Sequence, residues 1–276
     1  MAGTSAETST KPKRTQPMRT KALISAASLA FALLGAAPAN AVITVYAEYH
    51  LGEPLSLGTN NLPLDSISGR DFTDSINPGG VTVGSPGAYA GSAAFMDTSS
   101  AANSGYYALG NFTSLPNNNV AIGVFARASA IAGNTGTIFG TGDGGGMDLS
   151  LSSNGWAGSL FNVAWVGPAG GVTGSFTSDT WVHLALICAD GLTTFYIDGV
   201  PQGASLATAP VNSSPHISVS PGGATYFDGG IDEARAVSFD SGESTVAVLG
   251  VLRGVPEPSS AAFLAVGCLA FARRRR

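Results

Sequence analysis

The stretch Trp181-Val182-His183-Leu184-Ala185-Leu186-Ile187-Cys188-Ala189-Asp190-Gly191-Leu192-Thr193-Thr194-Phe195-Tyr196-Ile197-Asp198-Gly199 decides the fold. Side chains of a strand alternate between two faces. Here Val182, Leu184, Leu186 and Cys188 fall on one face, and Trp181, His183, Ala185 and Ile187 on the other. Both faces are largely apolar, which describes a strand covered on both sides. Asp190-Gly191 supplies the positive φ angles of a tight hairpin turn. Leu192 to Ile197 then returns as a second strand, and Asp198-Gly199 breaks it.

Further strands are predicted near Ile43 to Tyr49, Ala90 to Met96, Val120 to Ala128, Thr137 to Phe139 and Asp148 to Ser152. Others are Ser159 to Val166, His216 to Val219 and Ile231 to Phe239. Turn signals at Asn118-Asn119, Gly144 to Gly146, Ser153-Asn154-Gly155 and Gly170-Gly171 separate several of them. No helical periodicity runs over 11 residues of the body. The 276 residues contain 37 Gly without a G-X-Y repeat, which excludes collagen, and 44% hydrophobic residues, which excludes wholesale disorder. Only Cys188 lies between residues 42 and 254, so no disulfide staples this segment and burial alone must hold it. The expected architecture is an all-β sandwich over residues 42–250.

The ends differ from the body. Residues 42 to 254 hold four Arg (Arg70, Arg127, Arg235, Arg253), no Lys and sixteen acidic residues, a net charge of -12. Such a body offers no footprint for a phosphate backbone, so nucleic-acid binding is not expected. Basic residues 11 to 21, apolar Ala22 to Ala37 and small residues through Ala41 follow the order of a secretory leader, residues 1–41. Cleavage is expected after Ala41, or after Ala39, and Met18 is a candidate true start. At the other end, Val255-Pro256-Glu257-Pro258 breaks any helix, an apolar segment runs over 259–272, and Arg273, Arg274, Arg275 and Arg276 close the chain. As a helix the 12 residues Ala261 to Ala272 rise only ~18 Å, short of the ~30 Å hydrocarbon core. This end is therefore expected to be a transient transmembrane anchor that is processed.

Residues 251–276 resemble the PEP-CTERM sorting signal of Gram-negative bacteria. The resemblance implies an exosortase as partner, signal peptidase during export, and delivery to the cell surface or extracellular matrix. The hairpin from Trp181 to Gly199, with Phe227-Asp228-Gly229-Gly230-Ile231-Asp232-Glu233-Ala234-Arg235, resembles laminin G-like, concanavalin A-like jelly-roll domains. Gly142 to Trp156 is similar to the glycine-rich turn and following strand of that family; Phe125 stands where it often places Trp. The family hosts lectins, adhesion modules and glycosidases.

Catalysis has little support in the pattern. Glycoside hydrolysis needs two carboxylates about 5–9.5 Å apart. The E-x-D-x-x-E strand of this fold's glucanases is absent, and Glu48 and Glu53 fall on opposite faces if their strand continues. No G-x-S-x-G elbow occurs, and His50, His183 and His216 lack zinc spacing. The expectation is thus a non-catalytic binding or adhesion module acting on exopolysaccharide or another glycan, with a glycan-cleaving hydrolase of the same fold as the alternative. Calcium is the candidate ion, at Asp65, Asp232 and Glu233, against Glu233 pairing with Arg235 or Arg127 and Asp232 capping a turn. Trp156 and Trp165, with Asn154 and Asn162, are the candidate sugar-binding residues, against a purely core role for the aromatics.

Overall fold

The computed structural model describes residues 42–254, apart from 77–80, 89–91, 100–103, 133, 207–208, 222 and 224. The expected leader (1–41) and the PEP-CTERM-like tail (255–276) lie outside the described residues. Among the described residues the fold is a sandwich of two antiparallel sheets with one α-helix. The deciding hairpin is β11 (Val182–Ala189) and β12 (Leu192–Ile197), joined through Asp190 and Gly191 at φ 49° and 80°. Two successive positive φ values match the right-handed twist of the flanking strands. Asp198 and Gly199 repeat this geometry at φ 51° and 82°, so the predicted break is a second hairpin turn into β13 (Val200–Leu206).

The eight-stranded sheet runs β13-β12-β11-β6-β15-β4-β3, with β1 also paired to β15. Its remaining members are β1 (Ile43–Tyr49), β3 (Thr82–Gly84), β4 (Phe95–Asp97), β6 (Val120–Arg127) and β15 (Gly230–Phe239). The seven-stranded sheet runs β10-β9-β8-β7-β14-β5-β2. It comprises β2 (Asp74–Ile76), β5 (Gly105–Tyr107), β7 (Gly136–Gly140), β8 (Met147–Ser152), β9 (Gly155–Leu160), β10 (Ala164–Trp165) and β14 (His216–Ile217). The single strand predicted over Ser159 to Val166 is instead a hairpin, because Asn162 turns the chain at φ 59°.

The core lies between the sheets and includes Trp156, Phe139, Leu149, Leu186, Phe195 and Ile231, each fully buried. A second cluster explains the apolar outer face of β11. Ala185 and Ile187 pack there with Val237, Val248, Leu249 and Leu252, three of them from helix α1 (Thr245–Leu252). The Ser244 hydroxyl caps α1 by accepting from the Ala247 N–H. Gly123 lets α1 approach, since a Cβ there would meet Leu252 at 3.0 Å.

No helix among the described residues is long and apolar enough to cross a membrane. Helix α1 has eight residues and rises only ~12 Å. The expectation of a transmembrane helix, and of localisation by a transient C-terminal membrane anchor, is corrected for the described residues: the helix nearest that end is a short element packed on a sheet, while the segment 259–272 lies outside them.

Candidate active site

Laterally paired residues of neighbouring antiparallel strands project to one face. The register of the seven-stranded sheet therefore sets up a row: Trp165 opposite Ser159, Ser159 opposite Asp148, Asp148 opposite Gly140, Gly140 opposite His216, and His216 opposite Tyr107. This row lies on the outer face, because the alternate residues Met147, Leu149 and Leu151 of β8 enter the core. At its centre the Asp148 and His216 side chains are 6% and 3% exposed. Asp148 Oδ1 and His216 Nε2 stand 3.7 Å apart, and neither has a hydrogen-bond partner. The Ser159 hydroxyl donates to Asp148 Oδ2 at 3.4 Å. His216 Nδ1–H donates to the Ser214 carbonyl at 3.3 Å, which in a neutral imidazole leaves Nε2 an acceptor.

These two atoms face each other buried and without a hydrogen-bond partner, so a proton on Nε2 would make them an ion pair, and with a neutral imidazole both would accept from a donor placed beside them. Gly140 makes the arrangement possible, since a Cβ there would collide with the imidazole. Asp148 opens into a cleft of about 450 Å³, lined also by Thr137, Ser150, Ser159, Asn162 and Trp165. On the far side, His216 lines a cavity of about 310 Å³.

The sugar-binding candidates separate. Trp165 is 41% exposed in the cleft, with Asn162 beside it. Trp156 is in the core against Phe176 and Phe227. Asn154 lies on an exposed turn, its N–H bound to the Gly170 carbonyl. The sequence pattern did not single out Asp148 or His216 as a pair, because strands distant in the chain bring them together. A signal was nonetheless present: Asp148, Ser150 and Ser152 alternate with apolar residues.

A second cluster forms on the other sheet. Between Asp232 and Arg235 the pairing of β15 with β6 shifts register, and Glu233 sits in that bulge at φ 50°. Arg235 donates to Glu48 and to Glu233, each at 2.6 Å, and His50 lies 3.2 Å from Glu48 and 2.9 Å from Glu233. The hydrogen bonds to Glu233, then to Glu48, push the His50 pKa up to about 10. The His50 hydrogen bond, helped by Ser66 and Arg235 against the cost of burial, holds Glu48 well below the carboxylate range. The cluster is thus two carboxylates closed by two cations.

The ligand atoms of Glu48, His50 and Glu233 lie within 4.8 Å of one another and could hold a metal ion. To do so His50 must lose its proton and Arg235 must give way. The calcium set Asp65, Asp232 and Glu233 is not brought together as one such group among the described residues. Asp65 is consumed by the backbone N–H groups of Glu48, Ile67, Ser68 and Arg70 and by the Ser68 hydroxyl. Asp232 points elsewhere, accepting from Ala88 N–H and the Ser92 hydroxyl. Those residues do not fit one calcium ion.

The acid–histidine constellation of Glu48, His50 and Glu233, with the facing Asp148 Oδ1 and His216 Nε2 that lack a hydrogen-bond partner, overturns the expectation of a purely non-catalytic module without catalytic groups. Strand spacing hid both groupings, because each joins residues of different strands.

A family model described as the concanavalin A-like lectin/glucanases superfamily matches residues 101–247. No curated protein matches the chain. Among solved structures, the chain is similar to domain 4 of AbnA, a GH43 extracellular arabinanase from Geobacillus stearothermophilus in complex with arabinotriose. Identity is 19% and the TM-score 0.49, over 71% of this chain and 93% of that one. It is also similar to Trypanosoma rangeli sialidase in complex with the inhibitor DANA, at 15% identity and TM-score 0.48, over 69% and 30% of the two chains. A third likeness is to the enzymatically active domain of bacteriophage CBA120 tailspike protein 2, at 14% and 0.44, over 58% and 28%.

Proposed function

The chain belongs to the concanavalin A-like lectin/glucanase superfamily, and from that premise we propose that it is a glycan-cleaving hydrolase working in the cleft of Asp148. The observation that carries this reading is Asp148 in the lining of a cleft that also presents an exposed Trp165, its Oδ1 buried without a hydrogen-bond partner. A pyranose face stacks on Trp165, and Asn162, Ser150 and Ser159 meet its hydroxyls. Asp148 accepts a proton from the attacking water as that oxygen bonds the anomeric carbon and the glycosidic C–O bond breaks. The departing oxygen takes its proton from a second water in the open cleft, which stands in for the second carboxylate, and Asp148 stands against the positive charge that develops at the anomeric carbon. Burial makes that charge effect larger than in open water.

The test is release of reducing ends from a polysaccharide panel by the purified body, residues 42–254. Asp148→Asn should lower the rate by ~10²-fold or more, the usual worth of a general base, at unchanged fold. No release from any polysaccharide, or equal release by the variant, would end the proposal.

Around this domain we keep the ends as export addresses. Residues 1–41 are a leader for signal peptidase, and Val255 to Pro258 with Arg273 to Arg276 are a PEP-CTERM-type signal for an exosortase. Support is the order of charge, apolar run and helix breaker at each end. Intact mass of the native protein checks it: a chain retaining both ends would exclude processing. Calcium has no part in the proposed reaction.

A further inference from the structure

The cavity on the far side of His216 differs from the cleft. Its lining joins the apolar Ile76, Leu109, Val219 and Pro221 to Tyr107, His216, Ser214 and Ser220. Leu109 is 75% exposed beside it, an apolar side chain left in water at the edge of a polar row. Asp148 lines the cleft and His216 the cavity, and their facing atoms Oδ1 and Nε2 lack a hydrogen-bond partner; with Nδ1–H bound to the Ser214 carbonyl, a neutral His216 offers Nε2 as an acceptor.

Charge adds a third observation. Neither lining contains Lys or Arg, while Asp148 lines one and Asp143 the other. The body has no Lys, and its four Arg are engaged elsewhere: Arg70 stacks over Tyr46, Arg127 over Phe95, Arg235 joins the two glutamates and Arg253 donates to His183. A uronate or sulfate would enter an acidic site with no counter-ion, which desolvation makes unfavourable.

Resting on the hydrolase reading, we propose that the glycan is uncharged and N-acetylated, its acetamido N–H donating to His216 Nε2 and its methyl seated among Ile76, Leu109 and Val219. An acetamido group places a donor beside a methyl, the order in which an acceptor and apolar walls follow one another here. The carbonyl oxygen turns toward the open, wet side. Sugars without the substituent leave His216 unpaired and the cavity unfilled, which weakens them without excluding them.

Binding of chitotetraose, cellotetraose and a tetrameric uronate to the body, measured by calorimetry, tests this. Chitotetraose should bind at least tenfold more tightly than cellotetraose, and the uronate weakest of all. In Leu109→Asp, with thermal unfolding as the check on folding, that preference should fall below threefold. Equal affinity for chitotetraose and cellotetraose, strongest binding of the uronate, or an undiminished preference in the variant overturns the substrate class. Reducing-end release from an unacetylated glycan would still stand in those cases, so the two readings fail separately; absence of all binding overturns both.

Discussion

His216 Nε2 faces Asp148 Oδ1 at 3.7 Å across a glycine, and both atoms are buried without a partner. A buried unsatisfied polar atom costs ~1–3 kcal/mol, so two side by side are retained against stability. Strain of this kind concentrates at functional positions. Four consequences of the structure are open to measurement.

Gly140→Ala inserts a methyl group where the His216 ring lies. Overpacking of this kind costs ~1–3 kcal/mol. The variant should remain folded with a lowered denaturant midpoint and should lose glycan turnover along with the displaced imidazole. Full turnover in a destabilised protein would separate His216 from the reaction.

The two tryptophans first singled out together should part company. Trp165→Ala, at a position 41% exposed, should leave the melting temperature within a few degrees and weaken glycan binding. Trp156→Ala, in the core, should lower stability by ~3–5 kcal/mol in chemical denaturation. Similar losses of stability in both would show that Trp165 is a packing residue.

Stability should fall at alkaline pH through His50. Hydrogen bonds to Glu233 and Glu48 raise its pKa in the folded protein from 6.5 to about 10. The folded state therefore holds a proton that the unfolded chain has released. That contribution is complete below pH ~6.5 and is lost as pH rises through ~10. Denaturant titrations at pH 6 and pH 10 should show the drop, and His50→Gln should shrink it. A variant with the same drop as the parent would place its cause elsewhere.

Asp232 makes the opposite kind of prediction. Burial is the main reason its pKa is raised from 3.8 to about 7, over the opposing hydrogen bonds from Ala88 and Ser92. Ionising it in the folded state is costly, so its penalty grows from pH ~4 and is full above ~7. Asp232→Asn keeps an acceptor for Ala88 and Ser92 without the charge. It should gain ~2–4 kcal/mol on the parent at pH 8 relative to pH 4, read by denaturant unfolding. An equal difference at both pH values would mean that the carboxyl ionises freely.

The fold was largely legible. Alternation on both faces of Val182 to Cys188 announced a covered strand, and Asp190-Gly191 its turn. Short strands escaped: β2, β3 and β5 have three residues each, too few for alternation to register, and the seven-residue β13 escaped because Pro201 and Gly203 interrupt its pattern. Helix α1 escaped for a similar reason, since its eight residues fall below an 11-residue window. Two residues apart in the chain, Glu233 and Arg235 already suggest their ion pair, but the bulge that lets Glu233 also reach His50 has no mark in residue order.

Local chemistry is written along the chain: which residues alternate, which turn, which end is basic, and that the body carries no lysine. Those properties depend on near neighbours, and they determined the β-sandwich class and the acidity of its surface. The meeting of Asp148 with His216, 68 positions apart in the numbering, depends on the register of β14, β7 and β8. So does the division of Trp165 from Trp156 into cleft and core. Register follows from burying one face of every strand at once, a property of the whole sheet, so only the tertiary structure could decide them.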